Sequence, residues 1–392
     1  MTIIIFIIIL LTLVLIHEAG HFFAAKISKV RVDEFAFGFP PRLYSVKKGE
    51  TKYSFNALPI GGYVKIFGED GFSEDNKHEY SRNFVSKHPI VKIFILAAGV
   101  IMNILLAFIL VTVSVFNGTT FQVDGASKEY QKFIDEGRVR KEFLVVTAVA
   151  KDTPAYNAGI KSGYIVKDIF LNEENLAGKV STHKALNLKR NTEEVVKDIS
   201  NSLNGEGRIM VDSLTIVYRE PATGEVSSTT LAGVYRKEGE DNKKIIGVSF
   251  GKFADIHLTF FECIKIGTEK TLWMIEETIV GFADLLGNIF TKGEVSKDVA
   301  GPVGIFALVK EARGMGINYI LIFSAVLSIS LAVFNILPFP ALDGGRILFV
   351  IIESITRRKI SEKWQTILNG AGFLILILLM IAISVRDVIN LF

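Results

Sequence analysis

Two histidines four residues apart with a glutamate beside the first, His17-Glu-Ala-Gly-His21, are the residues whose types and spacing most directly carry chemistry. On a helix, positions i and i+4 project from one face a turn apart, so both imidazoles can share one metal ion. Two imidazoles plus a carboxylate suit zinc and leave a fourth position for water. Glu18, adjacent to the first ligand, can take a proton from water polarised there and relay it, which is the chemistry of peptide hydrolysis. A third ligand must come from elsewhere, and Asp343 is the candidate, in Asn335-Ile-Leu-Pro-Phe-Pro-Ala-Leu-Asp-Gly-Gly-Arg346. Pro338 and Pro340 break a helix there and Gly344-Gly345 permit an unusual backbone, so Asp343 can turn inward. Asn335 could hold a substrate strand or stabilise a developing oxyanion; the plainer reading is that it caps exposed helix carbonyls. His78, His88, His183 and His257 lack ligand spacing.

The elements that must position these residues are set by hydropathy. The chain has 392 residues, 49% hydrophobic, with a mean hydropathy of +0.38, too apolar for an ordinary soluble enzyme and too charged for an all-membrane transporter. A mixed membrane and soluble architecture follows. Four stretches reach the length of about 20 apolar residues that a bilayer requires: 1–25, 90–116, 319 to about 338, and 364–384. No Lys or Arg precedes the first stretch, so it reads as a retained span rather than a cleaved signal peptide. A carboxylate and two histidines in such a span are costly unless paired, and ionisable residues there are functional by default.

Lys29, Arg31, Arg42, Lys47, Lys48 and Lys52 follow the first span, and Arg357, Arg358, Lys359 and Lys363 follow the third. Both loops (26–89 and 347–363) are therefore expected to be cytoplasmic, with both termini and the long segment between spans two and three outside. The net charge of +3 comes with no basic run interleaved with aromatics, which argues against nucleic acid as a partner. A lone cysteine, Cys263, excludes an internal disulfide or a cysteine-based zinc site and leaves the redox compartment open.

Residues 51–67 are rich in aromatic and branched side chains, with Leu58-Pro-Ile-Gly-Gly62 as a turn signal, and read as a β-hairpin. Around Gly61, Gly62 and Tyr63 its edge could add a strand to an unwound substrate, or the hairpin could simply close the loop. Residues 121–250 carry β-rich runs. Within them, Thr153-Pro-Ala-Tyr-Asn-Ala-Gly-Ile160 reads as a short helix with a glycine stop leading into a strand, a pattern that suits a compact module of roughly 100 residues. From 257 to 290 charged residues recur at helical spacing among apolar ones, which predicts an amphipathic, interface-lying helix pair rather than a fifth span.

Taken together, His17-Glu-Ala-Gly-His21, Gly61-Gly-Tyr-Val-Lys65, Ala98-Gly99 with Asn103, Gly301-Pro302 and the run from Asn335 to Gly345 resemble the bacterial site-2 proteases of the regulator-of-sigma-E type, over nearly the whole length. The resemblance implies a polytopic α-helical membrane protein of about four transmembrane helices, in the bacterial inner membrane, with a membrane-associated β-hairpin and an extracytoplasmic PDZ-like α+β domain. It implies an intramembrane zinc metalloprotease that cuts transmembrane-helix substrates within the lipid bilayer, such as anti-sigma factors already trimmed by a site-1 protease, or remnant signal peptides. The expected segments are 1–25 with the zinc motif, 26–89 with the hairpin, 90–116, the PDZ-like 117–255, amphipathic helices in 256–315, 316–346 with the Asp segment, 347–363, and 364–392. Two positions depart from the family pattern: Gly163-Tyr164 stands where Gly-Asp is usual, and Gly99-Val100 where Gly-Pro is frequent. The competing expectation is a PDZ-bearing membrane adaptor with a vestigial metal site.

Overall fold

A computed structural model describes residues 2–69, 80–118, 121–122, 128–174, 180–185, 197, 213–221, 223–232, 234–238, 241–292, 300–358 and 360–391. In chain order the elements are α1 (Thr2–Ile27), β1 (Val32–Lys48), β2 (Thr51–Ile66), α2 (Pro89–Phe116), β3 (Phe121–Gln122), α3 (Lys128–Asp135), β4 (Val139–Val149), α4 (Pro154–Asn157), β5 (Ile165–Glu174), β6 (Val180–Ala185), β7 (Ser213–Arg219), β8 (Val226–Ala232), β9 (Val234–Glu238), β10 (Asp241–Ile245) and β11 (Val248–Ile256). The helices α5 (Phe260–Lys292), α6 (Pro302–Met315), α7 (Ile317–Ile336), α8 (Asp343–Thr356) and α9 (Glu362–Leu391) complete the chain. They divide into two compact units, one of 1–113, 264–310 and 320–392, the other of 114–263 and 311–319.

In the first unit, α1, α2, α7 and most of α9 are long and apolar enough to cross a membrane. The protein is therefore a multi-pass membrane protein. The apolar window of α2 is 39% buried against 6% for that of α9, so α2 is an inner span while α9 offers its side chains outward, as a helix facing lipid does. Small residues let α1 and α2 approach closely: a Cβ on Gly20 would stand 2.3 Å from the Ala98 carbonyl oxygen. Below the crossing, Ala24, Ala25, Val30 and Val32 pack with Ile66, Phe84, Ile95, Leu96 and Val350. Toward the other end of α1, Ile9 and Leu13 pack with Val309 of α6.

The β-structure after α1 differs from the hairpin expected over 51–67. Its two arms do not pair with each other. Residues 34–37 of β1 lie between them, paired with 62–65 on one side and 52–55 on the other, while 42–48 pairs with 51–56. The turn at Gly49-Glu50 joins the long strands, and the Leu58 to Gly62 run is a bend inside β2. A ladder partner many residues upstream outcompeted the local one, because pairing on both sides leaves fewer unmatched backbone groups. Similarly, α5 is one continuous helix of 33 residues, not a helix pair. Without a proline, its glycines cost helix stability but do not break it.

The second unit is an antiparallel sheet in the order β3-β11-β4-β5-β7-β8, with β6 also on β5. Leu144, Val146, Val166, Ile169, Leu214, Ile216 and Leu231 form its core with Ala155 and Ile160 from around α4. Pro154 opens α4, and Gly159 at φ +77° ends the turn, as the Thr153 to Ile160 pattern predicts. Tyr164 is a core residue here, its ring stacked on Tyr218 at 4.9 Å.

Candidate metal centre

On α1, the helical period places His17 and His21 on one buried face, one turn apart. Asp343 reaches them from the first residue of α8. The backbone between α7 and α8 turns sharply through the proline-bearing segment, and the positive φ of this turn falls on Ala341 (+75°). Gly344 and Gly345 are helical. Their bareness allows close approach: a Cβ on either would lie 2.2 Å from a carbonyl oxygen of Ile336, Leu337 or Phe339. Asn369 of α9 accepts a hydrogen bond from the Ala341 N–H at 3.1 Å and steadies the same turn.

The three candidate ligand atoms form a triangle. His17 Nε2 lies 3.1 Å and His21 Nε2 3.4 Å from Asp343 Oδ2, and the two nitrogens are 3.2 Å apart. Ligands about 2.0–2.2 Å from a tetrahedral zinc are roughly 3.3–3.6 Å from one another, so the triangle is close to the right size. The hydrogen positions fit as well. His21 Nδ1 is 2.9 Å from the Ile95 carbonyl oxygen, which can only accept, so Nδ1 donates and Nε2 keeps its lone pair toward Asp343. Asp343 Oδ2 is accordingly buried without a hydrogen-bond partner. Two imidazole nitrogens and a carboxylate oxygen thus converge within 3.4 Å of one another, a donor set that suits a zinc ion. Among the described residues this is the only such group of three.

Glu18 and Tyr63 line the same cavity, of about 170 Å³. Gly62 lies close by, since a Cβ there would stand 3.7 Å from Glu18 Cγ. The structure thus brings together His17, Glu18, His21, Asp343, Gly62 and Tyr63. It does not bring Asn335 or Gly61 to the cavity: Asn335 is half-buried in the last turn of α7, and Gly61 packs against the Phe39 ring. Two charged cavity residues were missed in the sequence, Glu69 and Arg346, which form an ion pair across its wall. Arg346 follows the Asp343 motif directly and could have been found; Glu69 sits 277 positions away and carries no local signal. Gly99, noted above only as part of a pattern, is packed against the ligands: a Cβ there would lie 2.5 Å from His21 Nε2 and 2.8 Å from His17 Nε2.

Membrane-length helices, the first of which carries two histidines facing a carboxylate from a broken-helix segment, define a class: zinc-dependent proteases of the membrane. The model of peptidase family M50 matches residues 5–379, and the chain belongs to that family, the site-2 protease family of zinc metalloproteases. It is 33% identical over 377 residues to a protein of Clostridium acetobutylicum named a zinc metalloprotease, covering 96% of this chain and 94% of the relative. A Clostridium perfringens protein of the same designation is 30% identical over 389 residues, covering 96% and 95%. The regulator of sigma-W protease RasP of Bacillus subtilis is 27% identical over 467 aligned residues, spanning 100% of this chain and 99% of that one.

Proposed function

We propose that this zinc metalloprotease hydrolyses peptide bonds inside transmembrane helices of membrane proteins, with His17, His21 and Asp343 as zinc ligands and Glu18 as general base. The observation that carries this reading is the depth of the triangle. His17 stands ten residues before α1 ends at Ile27, about 15 Å at the helical rise, which is near the middle of a hydrocarbon core of about 30 Å. A peptidase for soluble peptides has no use for ligands there. Zinc, when bound, supplies the Lewis acid that polarises water and the scissile carbonyl. Glu18 takes the proton from water and passes it to the leaving amine. Because the cavity is small, the substrate helix must unwind to expose one carbonyl. Among the described residues the 62–66 segment of β2 pairs with β1 on one side alone, so its other edge, beginning beside Glu18, suits an extended substrate strand. Tyr63 and Gly62 belong to that edge and Gly61 shapes its bend; a role for Asn335 requires a substrate strand that extends beyond the cavity lining to the end of α7.

On the same reading, the charge bias of the loops puts both termini and the sheet unit outside the cytoplasmic membrane, where the sheet unit acts as a PDZ-like filter against substrates that still carry large domains. Suitable substrates are then anti-sigma factors first cut by a site-1 protease, or remnant signal peptides. The complete ligand triangle gives the adaptor reading no support. The test is Glu18→Gln in purified, reconstituted protein: zinc content unchanged and cleavage of a model transmembrane substrate reduced at least about 10³-fold, beyond the 10²–10⁴-fold range's lower half for a general base. Undiminished cleavage by Glu18→Gln overturns the assignment.

A further inference from the structure

The two ligand histidines need opposite treatment at their two nitrogens, an open Nε2 toward the metal and a protonated Nδ1 toward an acceptor. For His21 the acceptor is the Ile95 carbonyl. For His17 the group at Nδ1 is the amide of Asn103, fully buried in α2, with its nitrogen Nδ2 set 3.3 Å away and its Oδ1 unpartnered. Ile95, Gly99 and Asn103 are spaced by four, so they form one stripe of α2, and they meet His21 and His17 in reverse order as two crossing antiparallel helices require. The stripe reads acceptor, gap, side chain: the bare Gly99 lets α2 come close enough for the positions on either side to reach the imidazoles.

We propose that Asn103 is a positioning residue whose Oδ1 accepts the Nδ1 hydrogen of His17 and so fixes this ligand in its metal-binding tautomer. The inference rests on the zinc-site reading above. An amide can face Nδ1 through its NH₂ or, after a half-turn of its end group, through its oxygen, with no other atom moved. The far amide atom finds no partner where Oδ1 now stands, so neighbours other than His17 do not choose. A metal on Nε2 does choose: it puts the hydrogen on Nδ1, where NH₂ would set donor against donor and only Oδ1 can answer. The backbone of Asn103 is held independently, its carbonyl accepting from Ser328 Oγ of α7 at 2.8 Å, so the amide sits at a fixed junction of α1, α2 and α7.

The test is zinc affinity, by chelator competition on the full chain in detergent. Asn103→Leu keeps the bulk and removes the acceptor, Asn103→Ala serves if the leucine variant does not fold, and Asn103→Asp keeps an acceptor. We expect the leucine or alanine variant to bind zinc about 10–100-fold more weakly, with Asn103→Asp within about threefold of the unaltered protein. A cobalt-substituted sample should lose its tetrahedral absorption in the same order. Equal affinity in the leucine or alanine variant, or an equal loss in Asn103→Asp, overturns the proposal. If the unaltered protein takes up no zinc, it is the site reading that fails, before the role of Asn103 is reached.

Discussion

Two aspartates point into the membrane unit, Asp387 buried and Asp343 partly buried, and they are chemically the same group in opposite circumstances. Asp387, near the end of α9, accepts hydrogen bonds on Oδ2 from the N–H groups of Gly301 and Gly304, both at 2.8 Å, at the start of α6. Those N–H groups belong to a helix N-terminus, where free donors and the helix dipole favour an anion. The glycines are bare because a Cβ on either would stand about 3 Å from the same oxygen. Asp343 has no such donors: its Oδ2 faces the Nε2 atoms of His17 and His21 and is left without a hydrogen-bond partner. One carboxylate is satisfied by its own fold, and the other is left for something the chain does not contain. Burial and sequence alone do not separate a structural carboxylate from a ligand; the donors around it do.

The comparison breaks most visibly at Asp343. Replacing it by Ala should cut zinc affinity by more than the roughly 10–100-fold of an outer-shell change and reduce proteolysis to background, yet leave the thermal stability of the metal-free protein unchanged, since it removes an unmatched acceptor. A thermal scan with and without chelator checks both halves; a metal-free Asp343→Ala protein that melts well below the unaltered one contradicts the contrast.

Asp387→Ala should do the reverse. It strands two buried N–H groups at a cost of about 2–4 kcal/mol, seen as a drop of several degrees in Tm, while zinc affinity of the folded protein stays within about twofold. Asp387→Asn, which retains an acceptor, should recover part of the loss.

The smallest effect lies in the sheet unit, where carboxylate and cation are half in water. Glu262 is hydrogen-bonded by the Arg138 guanidinium and by the Thr259 N–H, which hold its pKa down at about 2. A folded-state pKa below the unfolded value of 4.5 means that the pair stabilises fully above pH 4.5 and loses its contribution as pH falls toward 2. Glu262→Gln should therefore flatten the acid limb of the stability profile between those values and change little at pH 7, because an exposed ion pair contributes little. An unaltered acid limb would remove the pair from the account.

What could be read in the sequence follows the range of the interactions. His17 and His21 were legible because the helix period alone aligns them, and the four spans because length and apolarity define them. Asp343 was legible through its prolines, although the reason given for its glycines was incomplete: the strained φ falls on Ala341, and Gly344 and Gly345 serve close packing. The stretch after Asp343, expected to become loop from 347, continues as helix to Thr356 and stops at Arg357 in a left-handed conformation. Its basic residues cluster only beyond that stop. The pairing of both β2 arms with 34–37, the Glu69 to Arg346 ion pair and the contact of Asn103 with His17 depend on how distant segments meet, and no local pattern encodes them.

The central claim is that peptide hydrolysis takes place at membrane depth, at the triangle of His17, His21 and Asp343. The most direct measurement is mass-spectrometric mapping of the bond cut in a single-span substrate co-reconstituted with the protein in liposomes, with Glu18→Gln as control. The account predicts a scissile bond inside the apolar span and none with the control. Cuts confined to the aqueous flanks of the substrate would contradict it.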